Sequence, residues 1–170
     1  MGDGGMTELA LTLTGDSAHT PPSRILEPVA EDLAHRRVAG APHTIYEEVW
    51  HAAFWQKQAL DRIDGTETAF PEHNDLTFPS EEQKRAESWG AVCGRFLAGA
   101  ERSAAIADGP SAELERLVRC LSAPGQPVRR MTVREQLEST AGHNAYHLGR
   151  VVLLLQMTGH WPPPSGGLTW

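Results

Sequence analysis

His143 and His147 stand four residues apart in a stretch that reads as one capped helix, and a third imidazole, His51, lies in another helical stretch far upstream. At i and i+4 two side chains stand one turn apart on the same helical face, so both rings can reach one ion. A third His from a neighbouring helix would complete three neutral ligands and leave a coordination position open. Catalytic zinc sites use that arrangement, whereas structural sites close all four positions. The glutamate of the zincin motif H-E-x-x-H is missing, because Asn144 occupies the position of that general base, and a metalloprotease is disfavoured. The remaining imidazoles, His19, His35, His43, His73 and His160, read as solvated or hydrogen-bonded side chains, with His43 near a helix N-terminus.

Four helical stretches position these residues. Thr20-Pro21 reads as an N-cap followed by Pro at the first helical position, and Ile25, Val29 and Leu33 predict a first helix to about His35, bent or interrupted at Pro28. A second helix is expected over His43 to Ile63, with a core stripe of Ile45, Val49, Ala52, Ala53, Leu60 and Ile63. His51 lies away from the centre of that stripe, on a side shared with Glu48 and Trp55. A His turned toward bulk water fits the same helical wheel. Residues 66–79 carry no period and form a loop long enough to cover a pocket. Ser80 with Gln83 caps a third helix from Glu81 to about Ala107, and a short amphipathic helix follows through Leu114, Leu117, Val118 and Leu121, broken by Ala123 to Pro127. Thr132 with Glu135 caps the last helix, which runs to about Thr158. Its buried stripe is Val133, Leu137, Ala141, Asn144, Leu148, Val151, Val152 and Leu155. His147 borders this stripe and His143 lies one step further round, so both can face a seam between helices. Two imidazoles in such a seam need partners for their ring nitrogens, and a shared cation supplies them.

No repeat, Gly-rich phosphate loop or alternating strand pattern is present, so the fold class is all-α: a four-helix bundle with a short extra helix. The 170 residues fit one domain over 20–170, with residues 1–19 expected as a poorly ordered N-terminal extension and a Pro/Gly-rich tail from Trp161 to Trp170. Lys and Arg number 15 against 22 Asp and Glu, a formal charge of -7, which disfavours nucleic acid as a partner. The longest aliphatic run, Val151 to Leu155, is too short for a bilayer, and the N-terminus lacks a basic region ahead of an apolar core, so a cytoplasmic protein is expected. Cys93 and Cys120 have no metal-ligand or disulfide spacing and are expected to be reduced and structural.

Two blocks carry a family resemblance. Pro42-His43-Thr44-Ile45 leads to Trp50-His51 and Trp55. Gly142-His143-Asn144-Ala145-Tyr146-His147-Leu148-Gly149-Arg150 is followed by Gln156-Met157-Thr158-Gly159 and Trp161-Pro162-Pro163-Pro164. Together they resemble the bacterial DinB/YfiT-like superfamily over most of residues 17–170. The resemblance implies an up-down-down-up bundle, often a homodimer, with His51, His143 and His147 as ligands of a divalent metal ion, zinc or nickel first among the candidates. It also implies metal-dependent transferases and isomerases that use low-molecular-weight thiols, alongside members first named for DNA-damage induction. That name indicates a stress response and not DNA binding.

Three chemistries fit these residues. A metal with an open position can activate a small thiol, such as bacillithiol or mycothiol, for attack on an electrophilic small-molecule substrate, making the chain a thiol S-transferase. Trp50, Trp55, Tyr146 and the 66–79 loop are then candidate pocket walls, and Arg150 a candidate carboxylate anchor. A metal-dependent hydrolase needs a general acid or base near the ion, and Glu47 or Glu48 are the residues placed for it. Both glutamates also fit a solvated helix face, as do Glu135 and Glu138 upstream of His143. A non-catalytic, stress-induced metal-binding protein is the third reading.

Overall fold

The computed structural model describes residues 5–120, 122 and 125–166. Three long helices dominate: α4 (Ile45–Ile63), α6 (Trp89–Ala107) and α8 (Val133–Met157). Shorter helices precede and join them: α1 (Glu8–Thr14), α2 (Pro22–Leu26), α3 (Glu31–Ala34), α5 (Glu81–Ala86) and α7 (Ser111–Leu114). An all-α bundle is what these elements form, and α4 and α8 each start at a capping box. Thr44 and Thr132 accept hydrogen bonds from the N–H groups of Glu47 and Glu135, whose carboxylates return a bond to the cap residue, closing capping boxes.

α4 and α6 run parallel. Tyr46 near the start of α4 donates its hydroxyl to the Glu87 carbonyl just ahead of α6, and Asp64 at the end of α4 pairs with Arg102 near the end of α6. α8 runs against both, because Ile63 from the end of α4 shares one apolar cluster with Val133 and Leu137 from the start of α8. The fourth column is built from three pieces. Leu13 of α1 joins that same cluster, while Ile25 and Leu26 of α2 and Leu33 and Ala34 of α3 join a second cluster with Phe96, Val151 and Leu155. The column therefore rises beside α8, and the order is up-down-down-up. Fully burying side chains such as Leu13, Phe96 and Leu137 contributes about 2 kcal/mol each.

Several expectations are corrected. The poorly ordered extension over residues 1–19 gives way, from residue 7 onward, to a capped helix: Thr7 accepts from the Ala10 N–H, Gly15 closes the end at φ 85°, and Ala10 and Leu13 are buried. Residues 1–4 lie outside the described residues. The interruption expected at Pro28, which lacks a backbone donor, divides the first helix into two short ones. The third helix breaks at Glu87, in extended conformation, and Ser88 caps a fresh start. The expected short helix through Leu121 stops at Leu114. Leu117–Cys120 and Arg129–Thr132 instead form an antiparallel hairpin, β1 and β2, with Val118 opposite Met131. Val118 and Cys120 face inward while Leu117 and Arg119 face out, a period of two. Leu121, Ala123 and Pro124 lie outside the described residues, as do residues 167–170 of the tail.

Candidate metal centre

α4 brings His51, and α8 brings His143 and His147, to one point between the two apolar clusters. One ring nitrogen from each lies within 4.8 Å of the others, and the ring centroids are separated by 4.4 to 5.2 Å. His51 and His147 are buried and His143 is half-buried. The wheel that left His51 free to face water misjudged a helix packed on nearly all sides. Over its first half α4 is covered by α6, by α8 and by the 66–79 loop, so even Glu47, Glu48 and His51 are buried.

The surroundings orient the rings. Nδ1–H of His51 donates to the Thr77 carbonyl at 3.0 Å, and Nδ1–H of His147 donates to a carboxylate oxygen of Glu48 at 2.7 Å. With Nδ1 engaged on both, Nε2 is the nitrogen left to face the cluster. Phe78 stacks on His51 with ring centroids 4.1 Å apart. Thr77 belongs to a single 3-10 turn, Asn74–Thr77, inside the loop, and its hydroxyl donates to the Asn74 carbonyl. Burial pushes the pKa of His51 down to about 4, helped by the charge of His147 and opposed by the bond to Thr77. Burial, with His147 and His51 as neighbours, pushes His143 down to about 4 as well. Neutral imidazoles are the form that ligates a metal. Three of them converge, with His51 and His147 held by fixed partners, and fit a divalent ion with room for a further ligand.

Glu48 is the residue whose role sequence reasoning missed. The sequence suggests a solvated face or a general base, but its side chain is fully buried, held between His147 and the Arg150 guanidinium at 2.9 Å. A carboxylate behind a ligating imidazole fixes its tautomer and raises its basicity. Arg150 is accordingly paired with Glu48. The available signal was spacing: Glu48 precedes His51 by three residues, as Ala52 and Ala53 do not, so both polar side chains lean toward α8.

Glu47 serves the fold. It accepts from Arg37, Lys84 and the Thr44 N–H. Burial, the largest influence, works to raise its pKa, but the bonds from Lys84 and Thr44 and the charges of Lys84 and Arg37 outweigh it and hold the carboxyl below its ordinary value. Its stabilising contribution is therefore complete above the unfolded value of about 4.3 and is lost as pH falls through the lower folded value. Glu47→Gln should cost about 2 kcal/mol near pH 7, and the gap to the parent chain should close under acid. Urea unfolding of both proteins at neutral and acidic pH measures it.

A cavity of about 700 Å³ opens beside the cluster, with His143 in its wall. Trp55 and Phe70, in contact at 5.6 Å between centroids, form one side. Two other expected wall residues face elsewhere. The Trp50 indole N–H donates to Glu87, and Tyr146 is 62% exposed. Asn144 donates to Gln56 at 2.8 Å, and Gln56 in turn donates to the Phe96 carbonyl. Gly99 leaves the space for that bridge, since a β-carbon there would collide with the Gln56 amide. His35 stacks on Tyr46 and His43 on Phe78, as hydrogen-bonded or packed imidazoles without a place at the centre. Both cysteines are free thiols, Cys93 half-buried and Cys120 buried. Among the described residues no helix is long and apolar enough to cross a membrane.

The sequence model of the DinB superfamily matches residues 7–151, which include all three histidines. The match begins at the cap of α1, within the stretch 1–19 that the sequence alone presents as a poorly ordered extension. No curated protein and no solved structure matches the chain.

Proposed function

This chain belongs to the DinB superfamily, and on that premise we propose that it is a metal-dependent enzyme that activates a low-molecular-weight thiol for transfer to an electrophilic small molecule. The convergence of His51, His143 and His147 beside a large cavity carries the reading. A divalent ion on three imidazoles supplies Lewis acidity, lowering the pKa of a thiol or water that reaches it. The chain's own residues do the rest. His51 and His147 present Nε2 because Thr77 and Glu48 hold Nδ1, and His143 forms the edge of the cavity. Trp55 and Phe70 offer flat apolar surface to an electrophile. In the reaction the thiol sulfur forms a bond to the electrophilic carbon, the leaving group departs with its electron pair, and the thiol proton passes to water.

Hydrolysis demands more. Water attack on an amide or ester needs a positioned general acid or base, and the two glutamates available for it are committed, Glu48 to His147 and Arg150, Glu47 to Lys84, Arg37 and the α4 cap. A thiol transfer needs no such group once the sulfur is deprotonated. Cobalt(II)-loaded protein should develop a sulfur-to-cobalt charge-transfer band on addition of a small thiol, and the zinc form should give a thioether with an activated aryl chloride, read by mass spectrometry. Turnover without any thiol would favour the hydrolase, and neither band nor product from metallated protein would leave a metal-binding bundle without chemistry.

A further inference from the structure

The cavity beside His143 has a cationic wall in an acidic protein. Arg62 and Arg129 line it with Gln136, Ser139 and Thr140, and no Asp or Glu is among its lining residues. The hairpin residues outside the description, Leu121, Ala123 and Pro124, carry no charge. In a chain with 22 carboxylates against 15 bases, a pocket free of carboxylates is the less expected composition.

Arg62 stands apart within that wall. The other half-buried guanidinia of the long helices, Arg95, Arg134 and Arg150, each pair with a glutamate, at 3.0, 3.1 and 2.9 Å. Among the described residues Arg62 has no carboxylate partner. Its Nη1 donates to the amide oxygen of Gln136 at a loose 3.4 Å, and its buried Nε has no acceptor. Gln136 is itself buried, and its oxygen also receives the Cys120 thiol at 3.4 Å, so a neutral amide is all that meets the charge. The carbonyls at the end of α4 offset a part of it, an effect that is small at a half-exposed position. A half-buried cation without a counter-ion is costly unless an anion completes it, and a planar guanidinium fork matches the two oxygens of a carboxylate or phosphate.

We propose that Arg62 is an oxyanion-recognition site in the wall of the cavity next to the metal centre, so that the molecule brought to the metal carries a carboxylate or phosphate group. This rests on the proposed function only in taking the cavity as the substrate pocket. Gln136 positions the guanidinium from behind. The overall charge of -7 repels anions at long range, so any preference for an anion must come from local contacts.

Calorimetry on the zinc-loaded full chain tests it with succinate, its neutral analogue succinamide, and inorganic phosphate. The expected result is that one oxyanion binds about tenfold or more tighter than succinamide. Arg62→Gln should bring that ratio near one, and Arg62→Lys should keep part of it. The stronger of succinate and phosphate names the class. A parent protein without an oxyanion preference overturns the proposal, with no variant needed. So does a preference that survives in folded Arg62→Gln, because the anion would then be held by the metal. Mercaptosuccinate on the cobalt form separates the two readings. A charge-transfer band with no dependence on Arg62 retains the thiol chemistry and rejects the anion site, while an Arg62-dependent succinate preference without any band does the reverse.

Discussion

His147→Ala protein, purified without a polyhistidine tag and incubated with one equivalent of zinc, should emerge from desalting with almost none bound, whereas the parent chain should retain close to one ion. Of the three candidate ligands, His147 is the one whose loss should be felt most. It is buried, its Nδ1 is held at 2.7 Å by Glu48, and it is one turn from His143 on the same face of α8. Structural zinc binding spread over four ligands is worth on the order of 3 kcal/mol per ligand, so one missing imidazole lowers affinity on the order of a hundredfold or more. The same loss should appear as stability. A metal that binds only the folded chain raises its melting temperature, and His147→Ala should show a much smaller zinc-dependent rise than the parent. Circular dichroism of the apo variant keeps misfolding apart from ligand loss. Retention of a full equivalent of metal by the folded variant would show that the ion sits elsewhere.

The helical pair was legible because two imidazoles one turn apart leave a local signature. His143 and His147 repeat at one turn within a stretch bounded by a capping box and Gly159. The distant partner was legible only as a candidate. His51 could be placed beside α8 by its resemblance to a family pattern, but its burial depends on the 66–79 loop folding over it through Thr77 and Phe78. Those residues show no period and no spacing to His51. The hairpin was unreadable for a different reason. Four-residue strands give only two inward positions each, and Leu114, Leu117, Val118 and Leu121 satisfy a helical spacing equally well. What decides between them is the pairing of Val118 with Met131, which is tertiary. The division of the first column into α1, α2 and α3 follows the same pattern: Pro28 announced an interruption, while the helix at Glu8–Thr14 is stabilised by packing of Ala10 and Leu13 against α6 and α8. Seven residues would not hold a helix in isolation.

Glu48 carries the second large effect, and it separates positioning from ligation. Glu48→Gln keeps an oxygen able to accept the Nδ1–H of His147 and removes the charge. Zinc affinity should fall about tenfold to a hundredfold, since the carboxylate no longer strengthens the imidazole as a donor. Glu48→Ala should fall further and also destabilise the apo protein by about 3 kcal/mol, because it strands the half-buried Arg150 guanidinium and leaves a cavity between α4 and α8. The ion pair itself is what makes the distinction measurable. In Arg150→Met, Glu48 keeps its bond to His147 but loses its counter-charge, and in the double variant Glu48→Gln with Arg150→Met neither charge is left unpaired. If Glu48 acts on the metal through His147, the double variant should recover much of the stability lost in the single ones and none of the zinc affinity lost in Glu48→Gln. Were it only a structural ion pair, affinity and stability would recover together, and zinc titration alongside urea unfolding of the four proteins in the cycle reads both quantities at once.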